Sequence, residues 1–212
     1  KREIGVCVEK NMSGATTVSS TSHIAFQAGI KVFSTGGIGG VHRGYDESLD
    51  MSQDLFSLSQ TPIIVVCSGV KSFLDVEKTI EALETYGVTT VGYKTDFFPL
   101  FYSSSSKHEL QYSFKNTDRL ASLYKNNIKN NLKSSILVLN PAPKDKEIPE
   151  EKIKNIISNA IKKMNKKGVV GKKTTPFLLN EIANKTKNKS LTTNIELALN
   201  NIRVGAKIAK KL

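Results

Sequence analysis

A lysine stands where the sequence predicts the end of a buried strand. Residues 62–67 read Pro-Ile-Ile-Val-Val-Cys, and Lys71 follows a Ser-Gly-Val turn, directly before a helix predicted to begin near Ser72. Burial and the positive end of a helix both disfavour a charged ammonium, so they lower the pKa of the amine. A partly neutral lysine amine is a nucleophile for carbon. Position alone does not separate such a residue from an ordinary surface lysine.

A glycine-rich stretch follows another predicted strand. Residues 36–44 read Gly-Gly-Ile-Gly-Gly-Val-His-Arg-Gly, with five glycines in nine positions. Glycines permit positive φ and let backbone N–H groups approach a ligand, commonly a phosphate. The spacing matches neither a dinucleotide fingerprint nor a nucleoside-triphosphate loop. A flexible loop is the alternative, and the adjacent His42 and Arg43 favour an anion site.

Three aspartates are spaced at helical intervals shortly after the glycines. Asp46, Asp50 and Asp54 lie four residues apart, so their carboxylates share one face if the segment is helical. Such a face could hold Mg²⁺ or Mn²⁺ through one carboxylate and several waters. Spacing alone favours the alternative, a solvated acidic start of a helix.

The elements that position these residues alternate between strand and helix. Apolar or alternating runs predict strands at 3–8, 31–35, 62–67, 88–93 and 135–139. Helical spacing predicts helices at 16–29, 51–59, 72–85, 118–131, 149–166, 175–186 and 191–210. The pattern predicts a three-layer α/β/α fold with a mainly parallel central sheet. Ligands of such folds gather beyond the carboxyl ends of the strands.

Size and composition favour one globular unit. The chain has 212 residues, of which 39% are apolar, and we expect residues 1–212 to form a single domain. It contains no apolar run of about 18 residues, so no membrane segment is predicted. Cys7 and Cys67 are too few and too far apart to suggest a disulfide framework. A reducing, cytoplasmic location is the simplest expectation.

The net charge of +12 raises the question of nucleic-acid binding. Residues 1–100 contain 8 basic and 11 acidic residues, whereas residues 101–212 contain 23 and 8. The excess is carried by Lys and Asn in stretches such as 125–133 and 162–173, with few aromatic residues to stack on bases. Solvated helix faces are therefore favoured over a nucleic-acid partner.

Several longer motifs, in a fixed order, resemble one enzyme family. They are residues 14–18 (Gly-Ala-Thr-Thr-Val), 32–44, 65–75, 83–88, 140–143 (Asn-Pro-Ala-Pro), 171–179 and 190–196. Together they span nearly the whole chain and resemble pseudouridine-5′-phosphate glycosidases, the indigoidine synthase A-like family. The glycine-rich stretch and the motif around Lys71 are its most specific parts.

The resemblance implies an activity and its requirements. Members of the family cleave the carbon–carbon glycosidic bond of pseudouridine 5′-phosphate reversibly, giving uracil and ribose 5-phosphate through a lysine Schiff base. The resemblance also implies a divalent metal, usually Mn²⁺ with Mg²⁺ as another option, and a homotrimer. Small molecules are the expected partners, with no membrane and no nucleic acid.

The resemblance also assigns roles to residues. Lys71 matches the nucleophile that adds to ribose C1′, and Asp50 matches the metal-binding aspartate. The positions expected in the substrate pocket are Val18, through its backbone, the triplet Ser52, Gln53 and Asp54, and Thr35, His42 and Asn194. A desolvated lysine agrees with the chemistry, because a carbon–carbon bond has no heteroatom that simple protonation could release.

Two departures from the family pattern matter. The resemblance implies a further N-terminal segment with a catalytic glutamate and a substrate-binding lysine, so the chain is expected to be the larger, C-terminal part of such an enzyme. This motivates an alternative function, a non-catalytic relative or fragment that binds phosphoribose. In addition, Gln53 stands where alanine is common, and residues 19–23 differ from the usual run; both changes look tolerable.

Overall fold

The computed structural model describes residues 1–104 and 106–212. The strands are β1 (Val32–Ser34), β2 (Ile64–Cys67), β3 (Thr89–Tyr93), β4 (Ser113–Phe114) and β5 (Ile136–Leu139). The α-helices are α1 (Ile4–Glu9), α2 (Val18–Gln27), α3 (Tyr45–Ser48), α4 (Gln53–Ser59), α5 (Val76–Thr85), α6 (Thr117–Lys129), α7 (Glu150–Lys166), α8 (Thr174–Lys185) and α9 (Lys189–Ala209). A short 3₁₀ turn, Gly171–Lys173, precedes α8.

The strands form one parallel sheet in the order β1-β2-β5-β3-β4. All four residues of β2 and of β5 are buried, as expected for central strands covered on both faces. Because strand side chains alternate, Val65 packs into one apolar cluster and Val66 into another. The predicted α/β fold, with a parallel sheet between helices, is confirmed.

Helices cover both faces of the sheet. Helices α2, α4, α5, α7 and α8 contribute to the cluster around Val65, and α6 contributes to the cluster around Val66. Helix α9 reaches both clusters, through Leu197 in the first and through Val204 and Ile208 in the second. This helix lies against β1 and β2 and so runs beside the strands that lead to the glycine-rich stretch and to Lys71.

The first predicted strand is wrong, because residues 4–9 form helix α1. The alternation of Ile4, Val6 and Val8 suggested a strand, but Val6 and Val8 are 52% and 72% exposed. No residue of α1 is buried, so no sheet partner or core contact favours an extended backbone here. The segment instead satisfies its backbone locally, as in the bond from Cys7 N to the Glu3 carbonyl.

The helix after Lys71 begins later than predicted. Helix α5 starts at Val76, and the Asp75 side chain caps it by accepting a hydrogen bond from Lys78 N at 3.1 Å. Residues 71–74 form a turn in which Leu74 N donates to the Lys71 carbonyl. An aspartate cap of this kind stabilises a helix by about 1 kcal/mol, which fixes the start at Val76.

The acidic segment is not one helix. Helix α3 ends at Ser48, and Leu49 has a left-handed backbone with φ 53° before α4 begins at Gln53. Asp46, Asp50 and Asp54 therefore do not share a helical face, because the condition for it, one continuous helix, is not met. Among the described residues, no helix combines the length and the apolar character needed to cross a membrane.

Candidate active site

The carboxyl ends of β1 and β2 continue as two paired segments beyond the sheet. Ser68 N donates to the Gly36 carbonyl at 2.9 Å, and Ile38 N donates to the Gly69 carbonyl at 3.0 Å. Lys71 N then donates to the Ile38 carbonyl at 3.2 Å. The pairing places Lys71 directly beside the glycine-rich stretch, at the edge of the sheet where a ligand was predicted.

The glycines of this stretch are required mainly by close packing. A Cβ atom on Gly39 would collide with Ser52 and lie 2.9 Å from Asp54 Oδ2, and one on Gly40 would lie 2.8 Å from Val70. Positive φ occurs at Gly44 but not at Gly36, Gly37, Gly39 or Gly40. Those four glycines therefore do not use the positive φ that glycine permits, and the absence of a Cβ atom is what the close packing needs.

Asp54 joins two parts of the site that are distant in sequence. Its carboxylate is 4% exposed and accepts hydrogen bonds from Gly39 N at 2.8 Å and from Ser19 N at 2.9 Å. Ser19 lies in the first turn of α2, where unpaired N–H groups and the helix dipole favour a negative charge. Asp54 therefore holds the start of α2, including Val18, against the glycine-rich stretch.

The Lys71 amine has the environment that a nucleophile needs. Burial lowers the pKa of Lys71 from its usual value, and the negative charge of Asp54 opposes this by raising it. Throughout residues 1–104 and 106–212, no acceptor is hydrogen-bonded or ion-paired with the amine. The predicted effect of a helix end is wrong, since α5 begins five residues later; burial is the physical cause.

His42 and Asp50 lie together at the outer side of the stretch. Val41 pairs with Met51, and His42 N donates to the Asp50 carbonyl at 3.0 Å. The Asp50 carboxylate is 47% exposed, and its Oδ2 lies 3.8 Å from His42 Nδ1. Within the described part of the chain, no three His, Cys, Asp or Glu side chains form a group that could hold a metal.

The other charged residues near the stretch have different partners. The Asp46 carboxylate forms an ion pair with Lys78, which lowers the pKa of Asp46, chiefly through the hydrogen bond. Arg43 Nε donates to the Phe73 carbonyl at 3.1 Å and lines a cleft of about 640 Å³ with Ser72 and His108. Arg43 was predicted to contribute to an anion site, but its Nε is bound to Phe73 rather than to the glycine-rich stretch.

Thr35 and Asn194 both lie next to Gly36. Thr35 N donates to the Val66 carbonyl at 2.9 Å, which continues the pairing of β1 with β2. Asn194, on α9, has its Oδ1 atom 3.0 Å from where a Cβ of Gly36 would be. Ser52 caps α4 through its side chain, and the adjacent Gln53 is exposed. Thr35 and His42 therefore belong to one continuous segment, residues 35–42, and Ser52, Asp54 and Asn194 approach it.

Comparison with known proteins identifies the family of this arrangement. The profile of the family described as Indigoidine synthase A like protein matches residues 1–211. The chain belongs to this family. It is 48% identical over 212 residues to a pseudouridine-5′-phosphate glycosidase of Alkaliphilus metalliredigens, covering 100% of this chain and 69% of that protein. A pseudouridine-5′-phosphate glycosidase of Thermosipho africanus is 46% identical over 211 residues, with 100% and 71% covered.

Two solved structures resemble this chain over nearly its whole length. An indigoidine synthase A-like protein from Thermotoga maritima superposes with a TM-score of 0.90 at 37% identity, covering 98% of this chain and 68% of that one. The prealnumycin C-glycosynthase AlnA, in complex with ribulose 5-phosphate, gives 0.92 at 32% identity, covering 100% and 70%. The resemblance inferred from the motifs is confirmed, as is the fold.

Two supports of this indigoidine synthase A-like site were missed in the sequence. Phe101, with φ 65°, donates its N–H to the Ser68 carbonyl at 2.9 Å, and its ring fills the space beside Gly37. Asn201 is fully buried on α9 and donates to the Thr35 carbonyl at 2.8 Å. A polar residue seven positions after Asn194, on the same helix face, was the available signal for Asn201.

Proposed function

We propose that the chain carries the nucleophile and most of the substrate pocket of a pseudouridine-5′-phosphate glycosidase. The observation that carries this proposal is the half-buried Lys71 amine, which has a lowered pKa beside Asp54 and the glycine-rich stretch. Relatives of that name match the entire chain at 42–48% identity. An amine with a lowered pKa at the carboxyl edge of the sheet suits attack on a sugar carbon.

The chemistry proceeds through an imine. The Lys71 amine forms a bond to C1′ while the bond from C1′ to the ring oxygen breaks, and that oxygen takes a proton. The nitrogen lone pair then forms C=N as the bond from C1′ to uracil C5 breaks, and C5 takes a proton. Water hydrolyses the imine and releases ribose 5-phosphate and free Lys71. Each step runs in reverse for synthesis.

The residues around Lys71 are proposed to bind the substrate. The first turn of α2 presents the Val18 N–H and a positive dipole end, which suit a phosphate group. Asp54 acts by fixing that turn to Gly39, while Ser52 and Gln53 border it. The hydroxyl and amide groups of Thr35 and Asn194, together with His42, are donors and acceptors for the sugar and the base.

A direct test is reductive trapping of the imine on the gene product. Borohydride added with ribose 5-phosphate is expected to leave one reduced pentose phosphate on the peptide that contains Lys71. Lys71→Arg keeps the positive charge but cannot form an imine, so it is the matched control. Peptide mass spectrometry and chromatographic assay of uracil release are the measurements. An adduct that survives in Lys71→Arg, or spreads over surface lysines, would reject Lys71 as the nucleophile.

A divalent cation, Mn²⁺ or Mg²⁺, is proposed to bind at Asp50. The carboxylate is half-exposed, and its Oδ2 lies 3.8 Å from His42 Nδ1, beyond hydrogen-bond distance, which fits a cation held by one carboxylate and several waters. Both oxygens of Asp54 already accept backbone N–H groups, and Asp46 pairs with Lys78, so neither is the better ligand. When bound, the cation would supply positive charge that organises phosphate and sugar oxygens.

Asp50→Asn is expected to raise the Mn²⁺ concentration for half-maximal activity by about tenfold or more, because it removes the charged ligand. Activity is titrated with Mn²⁺ after treatment with a chelator. Asp46→Asn removes another exposed carboxylate from the same segment, one that is paired with Lys78, and should leave the titration unchanged. Equal titration curves for Asp50→Asn and the unmodified protein would contradict the assignment. The homotrimer implied by the resemblance and the cytoplasmic location expected from the composition stand as further parts of this proposal.

One comparison favours a second candidate, the synthetic direction with another aglycone. AlnA is named a C-glycosynthase, and it superposes with a TM-score of 0.92. The same amine and imine would serve that reaction. Uracil consumption with ribose 5-phosphate decides between the two: the glycosidase is expected to form pseudouridine 5′-phosphate, whereas an enzyme for another acceptor would leave uracil unused.

A further inference from the structure

Three side chains form a closed, buried hydrogen-bond ring beneath the site. Asn140 Nδ2 donates to Asn201 Oδ1 at 2.8 Å, Asn201 Nδ2 donates to Ser68 Oγ at 3.1 Å, and Ser68 Oγ donates to the Asn140 carbonyl at 2.8 Å. The residues are at most 5% exposed. Each of these three donor groups therefore has a buried acceptor.

The ring joins the carboxyl ends of three strands. Thr35, Ser68 and Asn140 directly follow β1, β2 and β5, and Asn201 Nδ2 also donates to the Thr35 carbonyl at 2.8 Å. Asn201 thus connects the backbone that enters the glycine-rich stretch with the backbone that leads to Lys71. No described residue of this ring is among those predicted to touch the substrate.

The same side chain also fixes the register of α9. Asn194 lies seven residues earlier, on the same face of that helix, and reaches Gly36. Sliding α9 by one residue would remove the Asn201 amide from the ring and turn Asn194 away from Gly36. The position of a proposed substrate residue therefore depends on Asn201.

We propose that Asn201 is a positioning residue for the reaction at Lys71, holding the ends of β1 and β2 together and setting the position of Asn194. This inference rests on the proposed function for its activity readout. A positioning role for Asn201 differs from a purely structural one. It requires that the surroundings of the Lys71 amine change when the ring is broken, even if the chain remains folded.

The first test compares Asn201→Ala with Asn200→Ala. Asn200 is the next residue on α9, is half-buried and makes one long bond to the Pro141 carbonyl. Asn201→Ala is expected to lower kcat/KM for pseudouridine 5′-phosphate by about 100-fold, since displacements of about 1 Å have effects of this size. Asn200→Ala is expected to stay within about twofold. Thermal unfolding identifies whether each variant is folded.

The second readout is the pKa of Lys71, measured by competitive labelling with trace acetic anhydride and peptide mass spectrometry. Water entering the loosened site is expected to move that pKa upward, toward the usual lysine value, with Asp54 as the nearby charge that acts on the amine. An unmoved pKa in a folded Asn201→Ala would assign Asn201 a structural role only and overturn the proposal. So would kcat/KM within about threefold of the unmodified protein.

A milder variant covers the case in which Asn201→Ala does not fold. Ser68→Ala removes one hydroxyl from the same ring and is expected to shift the Lys71 pKa in the same direction by a smaller amount. No shift in a folded Ser68→Ala overturns the proposal. If the unmodified protein releases no uracil, the proposed function fails, while the labelling result still decides whether Asn201 positions Lys71.

Discussion

Lys71→Met is expected to abolish uracil release, with a loss of at least about 10³-fold, and to raise the free energy of unfolding. The loss follows because methionine has no amine to attack C1′. The gain follows because the folded protein holds a lysine amine away from water, which disfavours its charged form. Methionine is similar in length and carries no charge, so it removes that penalty.

The lowered pKa of Lys71 makes the stability difference between the two proteins depend on pH. The pKa of Lys71 is lower in the folded than in the unfolded chain, so the unfolded chain binds more protons between those two values. The free-energy penalty for burying the charged Lys71 amine is complete below the folded pKa. It decreases as pH rises from the folded pKa to the usual lysine pKa, and it disappears above the usual lysine pKa. The stability advantage of Lys71→Met is therefore larger at neutral pH than at alkaline pH.

Denaturant unfolding of both proteins at about pH 7 and about pH 10 measures this difference. Lys129→Met is the matched control, since Lys129 is exposed on α6 and its replacement should change neither stability nor activity appreciably. A Lys71→Met protein that is less stable at neutral pH would show that the amine is well solvated or favourably paired, contrary to the environment described above.

The parts of the fold that the sequence predicted best are those with one dominant physical cause. The runs at 62–67 and 135–139 are continuous and apolar. Such runs are typical of central strands that are buried on both faces of a parallel sheet. Residues 3–8 have the same residue types but no covering layer, so their alternation misled the prediction. Asp75 likewise outweighed helical periodicity at residues 72–75, because a cap defines where a helix starts.

For the site, the sequence predicted the position of Lys71 at the carboxyl edge of the sheet. It did not predict the long-range hydrogen bonds that hold the site together. Lys71 was recognisable because strand ends and turns are local features. The bond between Ser19 N and Asp54 joins residues 35 positions apart, and the bond between Asn201 and Thr35 joins residues 166 positions apart. Neither is encoded in a local pattern. Such contacts arise only when the parallel sheet brings the ends of its strands together.

Replacement of Asp54 tests whether the carboxylate organises the site. Asp54→Ala leaves the N–H groups of Ser19 and Gly39 without their acceptor in a buried place, which is expected to lower the free energy of unfolding by roughly 2–4 kcal/mol. Activity is expected to fall about 100-fold, because the start of α2 is no longer held to the glycine-rich stretch. Denaturant unfolding and uracil release are the measurements.

Asp54→Asn separates charge from packing. Asparagine has nearly the same shape, but its NH₂ group would face one of the two backbone N–H groups that the carboxylate accepts. Part of the stability loss therefore remains. Its neutral side chain no longer raises the pKa of Lys71. The acid limb of the pH–activity profile is therefore expected to move to lower pH, although the maximum rate falls.

Asp75→Asn is the matched control for charge. Asp75 also accepts a backbone N–H, from Lys78, but asparagine is nearly as good a helix cap, and Lys71 is not among the groups that Asp75 perturbs. Its pH profile should be unchanged. If Asp54→Asn left the acid limb in place or moved it to higher pH, the limb would belong to another group. Because the Asp54 charge raises the pKa of Lys71 and Asp75 is not among its causes, a downward movement seen in Asp54→Asn but not in Asp75→Asn assigns the acid limb to a group beside Asp54, which is where Lys71 lies.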